Sequence, residues 1–349
     1  MMNHDEVNRR EMDREEKTSQ AVTFRNGLDF IDRNHGADHW FLQIETFDPH
    51  EPFYTLKEDK ALYPHTFLGD AAAESDWPPY AEVAEDDNTI QHVRYEYAAL
   101  LSKCDRYLGK VLDKMDEYDL WEDTMLIVNT DHGFLLGEHG WWGKTTMPIY
   151  NEIARIPLYI YDPRRKELGG VRRNALVQTI DIAPTLLEYF GVEVPKDMEG
   201  RPLDCVIGQD KKIRDYALFG YHGSQVNVTD GRYVYMHSAG NPGETVYEYT
   251  LMPTHMRCMF QPAEIREMEL ADPFSFTKGC RVMKMKKADR IGDTTSFGTM
   301  LFDLEKDPAQ ERPIHDGEVE RRMRTYIREG MQRNDAPEEL YRRMGFEEA

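Results

Sequence analysis

The sequence of 349 residues predicts an α/β fold with a mainly parallel central sheet and helices on both faces. Two observations support this fold class. Segments with helical spacing of apolar residues alternate with strand-like runs, and those runs are almost continuously apolar, as expected of parallel strands that are buried on both faces. After about Cys205 the pattern changes to short alternating strands separated by turn residues, which predicts a smaller α+β subdomain with a short antiparallel sheet. The predicted domains are residues 1–205 and 206–349.

The spacing of apolar residues predicts the elements in chain order. In the first domain they are a helix over 18–34, a buried strand over 39–47, an irregular Pro- and acid-rich excursion over 54–88, a long helix over 90–118, strands over 124–130 and 155–163, and a helix over 179–191. Thr179 or Asp181 can cap the last of these helices, and Gly191 can end it. In the second domain they are strands over 231–238, 244–250 and 299–308 and a charged helix over 317–333.

Acidic residues dominate the charge. The 64 Asp and Glu against 43 Lys and Arg give a formal net charge of −21, which disfavours nucleic acid and anionic membranes as partners. No apolar run is long enough to cross a bilayer, and the first twenty residues are charged where a signal peptide would be apolar. The chain is therefore expected to be cytoplasmic as it stands, or exported if a preceding part carries a signal. The four cysteines are far apart with no C-x-x-C pair, which predicts ordinary thiols.

The stretch VNTDHGFLLGEHGWWGK, residues 128–144, places polar residues where the predicted strand 124–130 ends. Ligands of open α/β sheets bind at the carboxyl ends of strands, so Asp131 and His132 are delivered to a pocket. A carboxylate and an imidazole on adjacent residues can share one divalent cation if the backbone bends, and Gly133 permits the bend. Lys144 then supplies a positive charge suited to one oxygen of a tetrahedral anion. The competing interpretation is a turn with an incidental histidine.

A second cluster, ETFDPHEPF, repeats this arrangement after the predicted strand 39–47, and its His50 would point to the same rim. The alternative is a turn histidine bonded to the backbone. His139 either reaches the pocket as a substrate contact or braces the loop. Trp141 and Trp142 either stack on a sugar ring or divide between packing inward and covering the loop.

These stretches, in this order, resemble the sulfatase family of the alkaline-phosphatase superfamily. FLQIETFDPHEPF is similar to the family's strand with a substrate-contacting histidine, and the segment from YEYAALL to GWWGK is similar to its central helix, strand and metal loop. RIPLYIYDP, VQTIDIAPTLLEYFGVEVPKDMEGRPL and LFDLEKDPAQ extend the similarity. The resemblance implies an alkaline-phosphatase-like fold, hydrolysis of sulfate esters, and a small sulfated substrate, for which a sulfated carbohydrate is a candidate.

The resemblance also implies a role for each matching residue. Asp131 and His132 match a pair of ligands to a divalent metal ion, usually Ca²⁺ and otherwise Mg²⁺. Lys144 matches the lysine that holds a sulfate oxygen. His50 matches the histidine beside the scissile ester oxygen, where it hydrogen-bonds or protonates that oxygen. A cation, an ammonium and an imidazole together would stabilise the negative charge that spreads over the sulfate oxygens.

Part of the family pattern has no counterpart in this sequence. The family's nucleophile is a formylglycine made from the Cys or Ser of a C/S-x-P-x-R motif, and no such motif is present. The strand that precedes the first pair of metal aspartates is also missing, and Asp86 and Asp87 are interpreted as a solvated charge run or a helix cap. The chain is therefore expected to begin inside the fold and to hydrolyse no sulfate ester alone. A shortened form of an active sulfatase is favoured. Hydrolysis of phosphate or phosphonate esters and non-catalytic binding of an anion or glycan stay open.

Overall fold

A computed structural model describes residues 14–65, 76–252, 254–255, 258–287 and 292–346. The charged residues 1–13 and residues 66–75 of the predicted excursion lie outside the described part. Backbone contacts divide the chain into two compact units. Unit 1 comprises residues 1–130, 134–143 and 157–170, and unit 2 comprises residues 131–133, 144–156 and 171–349. Residues 171–205 thus group with unit 2, and the domain boundary after residue 205 stays a prediction.

Unit 1 contains two long helices and two strand pairs. Its α-helices are α1 (Ser19–Asn34), α2 (Lys57–Lys60) and α3 (Asp87–Glu117), and its strands are β1 (Leu126–Asn129), β2 (Leu135–Leu136), β3 (Trp142–Gly143) and β4 (Leu158–Tyr161). Short 3₁₀ turns span Glu15–Lys17, Leu120–Glu122, Glu138–Gly140 and Pro163–Leu168. The helices predicted over 18–34 and 90–118 are confirmed.

Side-chain caps explain where the two long helices begin. The Thr18 hydroxyl accepts a hydrogen bond from the Ala21 amide at 3.3 Å, and the Asp86 carboxylate accepts one from the Thr89 amide at 2.9 Å. Each cap satisfies an amide that the first helical turn leaves without an acceptor. The bond from Thr89 also lowers the pKa of Asp86. The interpretation of Asp86 as a helix cap is therefore confirmed.

The segment 39–47 corrects one prediction. It is extended, but within the described residues it joins no strand ladder. Trp40, Leu42 and Ile44 pack against a cluster on α1 and α3, whereas Phe41 and Phe47 on the other face are 58% and 64% exposed. The apolar run was predicted to be a buried strand, but burial on both faces requires neighbours on both faces, and only the helical side provides them here.

The pairing of β1 with β4 corrects a second prediction. The two strands are antiparallel, with Ile127 opposite Ile160, and every strand pair among the described residues is antiparallel. The expected parallel connection needs a crossover, usually a long helix. Residues 130–157 instead contain a two-stranded hairpin and one helix of four residues. The mixed α/β class is nevertheless as predicted.

Unit 2 contains the predicted small antiparallel sheets. Its helices are α4 (Asn151–Ala154), α5 (Ile182–Tyr189), α6 (Asp204–Gln209), α7 (Pro262–Ile265), α8 (Gly317–Arg333) and α9 (Glu338–Met344), with 3₁₀ turns at Thr179–Asp181, Ser275–Thr277 and Thr295–Phe297. Its strands are β5 (Ala217–Gly220), β6 (Val226–Thr229), β7 (Tyr233–His237), β8 (Tyr247–Thr250), β9 (Glu269–Ala271), β10 (Val282–Lys286) and β11 (Met300–Asp303). The strand orders are β11-β7-β6-β5 and β8-β10-β9.

The core of unit 2 lies between the four-stranded sheet and α8. Val228, Tyr235 and Leu301 stand opposite one another across three strands, and all are buried in the same cluster as Met323 and Ile327 of α8. These two helix residues are four positions apart, so they lie on one face. The charged helix predicted over 317–333 is confirmed, and the structure adds the apolar stripe by which it packs on the sheet.

The helix predicted over 179–191 begins in a slightly different way. The N-cap residue is Gln178. Its backbone amide donates a hydrogen bond to the Asp181 carboxylate at 2.8 Å. Of the two predicted caps, Asp181 therefore makes the capping contact and Thr179 does not. Gly191 has φ = +67°, the left-handed conformation that ends the helix.

Two further sequence-based expectations concern cysteines and the membrane. The four cysteines form no disulfide, and burial raises the pKa of the Cys104 thiol to about 11. This thiol is therefore protonated and unreactive at neutral pH. Among the described residues, no helix combines the length and the apolar character needed to cross a bilayer.

Candidate functional site

The predicted metal-ligand pair directly follows the sheet. Asp131 comes two residues after β1, and its Oδ1 accepts a hydrogen bond from the His132 amide at 2.8 Å. Nδ1 of His132 lies 3.0 Å from the Gly133 carbonyl oxygen, and because a carbonyl only accepts, Nδ1 carries the proton. Nε2 of the neutral ring then presents a lone pair, 3.4 Å from Asp131 Oδ2. The structure therefore brings the two predicted donor atoms together.

The spacing of this pair fits shared coordination of one ion. Metal bonds of about 2.1 Å to nitrogen and about 2.3 Å to oxygen, at a right angle, place the two donor atoms about 3.1 Å apart. The Asp131 side chain is 82% exposed and that of His132 is 40% exposed, so an ion can reach both. Within the described residues, no group of three His, Cys, Asp or Glu side chains forms a metal cluster. The role of Asp131 and His132 as metal ligands therefore stays a prediction.

Pair geometry alone does not define a metal site, because Asp38 and His39 make similar contacts. The His39 amide donates to Asp38 Oδ1 at 2.8 Å, and the Nε2–Oδ2 distance is 3.3 Å. A histidine that follows an aspartate can therefore adopt this arrangement from local bonding. Asp131 and His132 differ in their place after β1 and in the packing of the residue that follows them.

That residue, Gly133, is fixed by close backbone packing. Its amide donates to the Ile153 carbonyl at 2.9 Å, and a Cβ at this position would lie 1.8 Å from the Glu152 carbonyl oxygen. Only glycine fits so near to α4. The sequence analysis assigned Gly133 to a bend, and the structure adds that it anchors the donor pair against a helix.

Lys144 belongs to the same unit as Asp131 and His132 and is only 9% exposed. An ammonium group that is largely withdrawn from water interacts more strongly with an anion than a solvated one does, because the local dielectric screening is weaker. Its burial therefore suits the predicted contact with a sulfate oxygen better than a solvated surface role.

The glycine-rich stretch between these residues is a braced hairpin rather than a loose loop. Strands β2 and β3 pair, and the turn between them contains Gly137 at φ = +98° and His139 at φ = +57°. The amide of Leu136 donates to Glu138 Oε2 at 2.5 Å, and Arg94 Nε donates to the Leu136 carbonyl at 2.8 Å. His139 is half-buried at this turn, so its predicted substrate contact stays a prediction.

The adjacent tryptophans divide between two environments. Trp142 is fully buried beside Phe53 and Leu100, and its indole N–H donates to Glu85 Oε2 at 2.8 Å. Trp142 is therefore unavailable for stacking on a sugar. Trp141 is half-buried.

His50 is held by its own backbone segment in unit 1. Its amide donates to the Phe47 carbonyl at 2.9 Å, its ring lies 4.3 Å from the Phe47 ring, and its Nδ1 lies 2.6 Å from the Glu51 carbonyl oxygen. The backbone contact expected of a turn histidine is thus present. The imidazole is 28% exposed, so its outer edge is still accessible.

Unit 1 also contains polar residues near His50 that the sequence analysis did not select. Lys103, 4% exposed on α3, donates to Asp48 Oδ2 at 3.1 Å. Glu51 is 1% exposed and accepts a hydrogen bond from the Tyr80 hydroxyl. The lysine lies on the inner face of an amphipathic helix, which is a weak sequence signal. Tyr80 lies in the irregular excursion, where nothing local marks it.

The sequence of this chain is similar to that of a known protein family. The sulfatase family model matches residues 2–192, more than half of the chain. The chain belongs to the sulfatase family. In this sulfatase-family chain Asp131, His132, Lys144, His50 and His139 all lie within the matched residues, whereas most of unit 2 lies beyond them.

Two curated relatives and one solved structure illustrate the likeness. A multifunctional alkaline phosphatase superfamily protein, PehA of Trinickia caryophylli, is 30% identical over 56% of this chain and 41% of its own length. An N-acetylglucosamine-6-O-sulfatase of Bacteroides thetaiotaomicron is 35% identical over 38% of this chain and 24% of its own length. A Bacteroides fragilis structure assigned as a sulfatase has a TM-score of 0.62 at 16% identity, covering 93% of this chain and 60% of that chain.

These likenesses confirm the predicted alkaline-phosphatase-like α/β fold class. The chain spans less than half the length of the two curated relatives. Within it, Asp131 and His132 are in contact and Lys144 belongs to the same unit. His50 and His139 belong to unit 1, so their predicted action on the same ester stays a prediction.

Proposed function

We propose that this chain is part of a metal-dependent hydrolase of sulfate esters. The observation that carries the proposal is the Asp131–His132 donor pair, with Oδ2 and Nε2 3.4 Å apart after β1, in a chain whose residues 2–192 match the sulfatase family. Asp131 and His132 would hold a divalent cation, for which Ca²⁺ is the first candidate and Mg²⁺ the second. A bound cation would supply positive charge to the sulfate oxygens.

The side chains of the predicted site have complementary tasks. Cleavage of a sulfate ester spreads negative charge over the oxygens on sulfur, and the Lys144 ammonium would hold one of these oxygens. The His50 imidazolium would give its proton to the departing ester oxygen, which leaves as a hydroxyl group. His139 is a further candidate contact to the substrate.

The formylglycine of the family does not fit the residues present. It derives from a C/S-x-P-x-R motif, and no cysteine of this sequence stands in one. Cys104 is in addition a buried thiol with a raised pKa. No step of the reaction is therefore assigned to a nucleophile in this chain, and we expect the chain alone to release no sulfate from an ester.

A sulfated carbohydrate is the proposed class of substrate. One relative is an N-acetylglucosamine-6-O-sulfatase, and the half-buried Trp141 offers an aromatic surface of the kind that stacks on sugar rings. The chain has a net charge of −21, so it needs a local positive charge in order to bind an anion. Lys144 supplies such a charge.

Ligand binding tests the proposed substrate class. N-Acetylglucosamine 6-sulfate, the unsulfated sugar and the 6-phosphate would each be titrated and followed by saturation-transfer NMR. A charge-assisted hydrogen bond contributes roughly 1.5–3 kcal/mol, so the unsulfated sugar should bind roughly tenfold or more weakly. Lys144→Met should remove the preference, whereas Lys110→Met, at an exposed position of α3, should keep it. Equal affinity for the sulfated and unsulfated sugars would contradict the proposal.

The same titration addresses the alternative chemistry. The multifunctional relative of the alkaline phosphatase superfamily makes phosphate or phosphonate ester hydrolysis the second candidate. Tighter binding of the 6-phosphate than of the 6-sulfate would favour it. A turnover assay with 4-methylumbelliferyl sulfate completes the test. Turnover by this chain that is abolished by Lys144→Ala would show that the nucleophile lies within these residues after all.

Paramagnetic broadening tests the metal ligands directly. Mn²⁺ added to the protein should broaden the ring signals of His132 at lower concentration than those of His39, whose aspartate contact is otherwise similar. Asp131→Asn should abolish the difference, and Asp38→Asn serves as the matched control. Equal broadening of both rings would show that the pair after β1 is no better a ligand than a surface pair.

A further inference from the structure

Glu51 is a buried acid beside the histidine of the proposed site. It is only 1% exposed, although a carboxylate that is withdrawn from water needs partners to offset its lost hydration. One of its oxygens, Oε1, accepts a hydrogen bond from the Tyr80 hydroxyl, and the other, Oε2, lies 3.3 Å from His50 Nδ1. The acid is thus fixed on one side by a phenol and faces the imidazole on the other.

Two acceptors of the same residue face one ring nitrogen. His50 Nδ1 lies 2.6 Å from the Glu51 carbonyl oxygen and 3.3 Å from its carboxylate. Because a carbonyl can only accept, the first contact requires a proton on Nδ1, and a carboxylate oxygen near the same nitrogen attracts that N–H electrostatically without being hydrogen-bonded to it. The remaining nitrogen, Nε2, is then the atom through which a neutral ring accepts a proton and a charged ring donates one. A carboxylate or carbonyl that fixes one ring nitrogen sets the role of the other.

Tyr80 is itself held by packing. Its ring meets the Phe134 ring edge-on at 5.9 Å between centroids, and a Cβ on Gly143 would lie 2.8 Å from the Tyr80 ring. Gly143 has φ = +102°, a conformation that favours glycine, so its backbone can approach the ring closely. The phenol therefore has little freedom to leave Glu51.

We propose that Glu51 is a positioning residue that holds His50 as the Nδ1–H tautomer, with Tyr80 orienting the carboxylate. The proposal rests on the proposed function in one respect, the action of His50 at the ester oxygen. In that reaction the Nε2 proton of the imidazolium passes to the departing oxygen, and the ring is left neutral with its proton on Nδ1. Glu51 transfers no proton in this step.

Nitrogen NMR of histidine tests this assignment without requiring turnover. In ¹⁵N-histidine-labelled protein at pH 8, long-range ¹H–¹⁵N correlations report which ring nitrogen is protonated. We expect His50 to be in the Nδ1–H form, whereas a histidine in water favours Nε2–H. A His50 ring in the Nε2–H form would overturn the proposal whatever the variants do.

Variants separate the carboxylate from the backbone carbonyl. Glu51→Leu removes the carboxylate and keeps the carbonyl, and we expect a mixture of tautomers. Tyr80→Phe keeps the carboxylate but frees it, and we expect a smaller shift in the same direction. Glu85→Gln is the matched control, since Glu85 bonds the Trp142 indole in the same unit and should leave His50 unchanged. A His50 spectrum unaltered by Glu51→Leu would refute a positioning role for the side chain.

The outcomes are distinguishable from those of the sulfate titration. If the Nδ1–H form is found but N-acetylglucosamine 6-sulfate binds no better than the unsulfated sugar, then the tautomer assignment stands and the substrate class is wrong. If the sulfated sugar is preferred but His50 is in the Nε2–H form, then the function stands and Glu51 has no positioning role.

Discussion

Protonation of one buried histidine should destabilise unit 2 in mild acid. His237 in β7 is 4% exposed, and its Nε2 donates to the Met344 carbonyl at 2.9 Å. The guanidinium of Arg324 lies 3.2 Å from Nε2 and 3.5 Å from Nδ1. Burial is the largest cause that lowers the pKa of His237, and Arg324 lowers it further, to about 4. The folded chain therefore keeps this ring neutral where the unfolded chain protonates it.

The sign and size of the effect follow from linkage. Between pH 6.5 and 4 the unfolded state binds one proton more than the folded state, so stability falls as the pH is lowered. The pKa of His237 is about 4 in the folded chain and about 6.5 in the unfolded chain. Relative to pH 8, the free energy of unfolding is therefore lower by about 1.4 kcal/mol at pH 5.5 and by about 2.5 kcal/mol at pH 4.5. For a unit of roughly this size that corresponds to a fall in Tm of roughly 5–10 °C at pH 4.5.

The assay must report on unit 2 alone. All five tryptophans lie between residues 40 and 142, in the part of the chain that forms unit 1, so indole fluorescence does not follow unit 2. Urea unfolding would instead be followed by hydrogen exchange of the β7 peptide at pH 8, 5.5 and 4.5. Because carboxylates of this acidic chain also titrate, the readout is the difference between the wild type and His237→Gln.

The variant should be less stable at pH 8, since it loses packing, but its stability should fall less between pH 8 and pH 4.5. His222→Gln, at an exposed position, should keep the wild-type pH dependence. If His237→Gln showed the same loss between pH 8 and pH 4.5 as the wild type, the burial argument for this ring would be refuted.

Two further substitutions test close packing and buried charge in unit 2. Gly133→Ala should lower the free energy of unfolding, measured with urea, by at least about 2 kcal/mol, because the new Cβ would lie 1.8 Å from a carbonyl oxygen. In the control Gly36→Ala the new Cβ has no neighbour within 4 Å, so the free energy of unfolding should change by less than about 0.5 kcal/mol. Arg214→Met should lower the free energy of unfolding by about 3–5 kcal/mol, because it leaves the fully buried Asp181 carboxylate without its guanidinium partner. The double variant with Asp181→Asn should recover part of that free energy. If it recovers none, the ion pair is not the cause of the loss.

Helices were predictable where their signals are local. The apolar spacing over 90–118 indicates which face is buried, and the Asp86 carboxylate that caps this helix accepts a hydrogen bond from an amide three residues away. Each of these interactions is complete within a few turns of one segment. The structure therefore reproduces both helices within a few residues of the predicted ends.

Strand pairing was predicted less well because it depends on residues far away in the sequence. The run 39–47 contains the apolar residues of a strand, but its ladder requires a neighbour that no local pattern can supply. Whether β4 runs parallel or antiparallel to β1 likewise depends on the path of the connecting residues 130–157. Alternation of helices and strands indicated the fold class correctly and the pairing direction incorrectly for this pair.

The candidate site shows the same division between local and distant causes. Asp131 and His132 could be selected because their contact is formed between adjacent residues, and the similar bonds of Asp38 and His39 confirm that this geometry is local. Glu51 was overlooked because nothing in the sequence around it distinguishes a buried acid from a solvated one. The Tyr80 hydroxyl that donates to this acid lies twenty-nine residues away in the sequence.

The local origin of the Asp131–His132 contact bears on how strongly this pair could hold a metal ion. Gly133 fixes the backbone next to the donor pair, whereas the Asp131 and His132 side chains are 82% and 40% exposed and are held only by local contacts. Affinity for a hard cation, in contrast, grows with the number of oxygens, and Ca²⁺ takes about six to eight. Two donor atoms alone should therefore hold such an ion weakly. Activity would depend on how many further ligands the full coordination shell adds to Asp131 and His132.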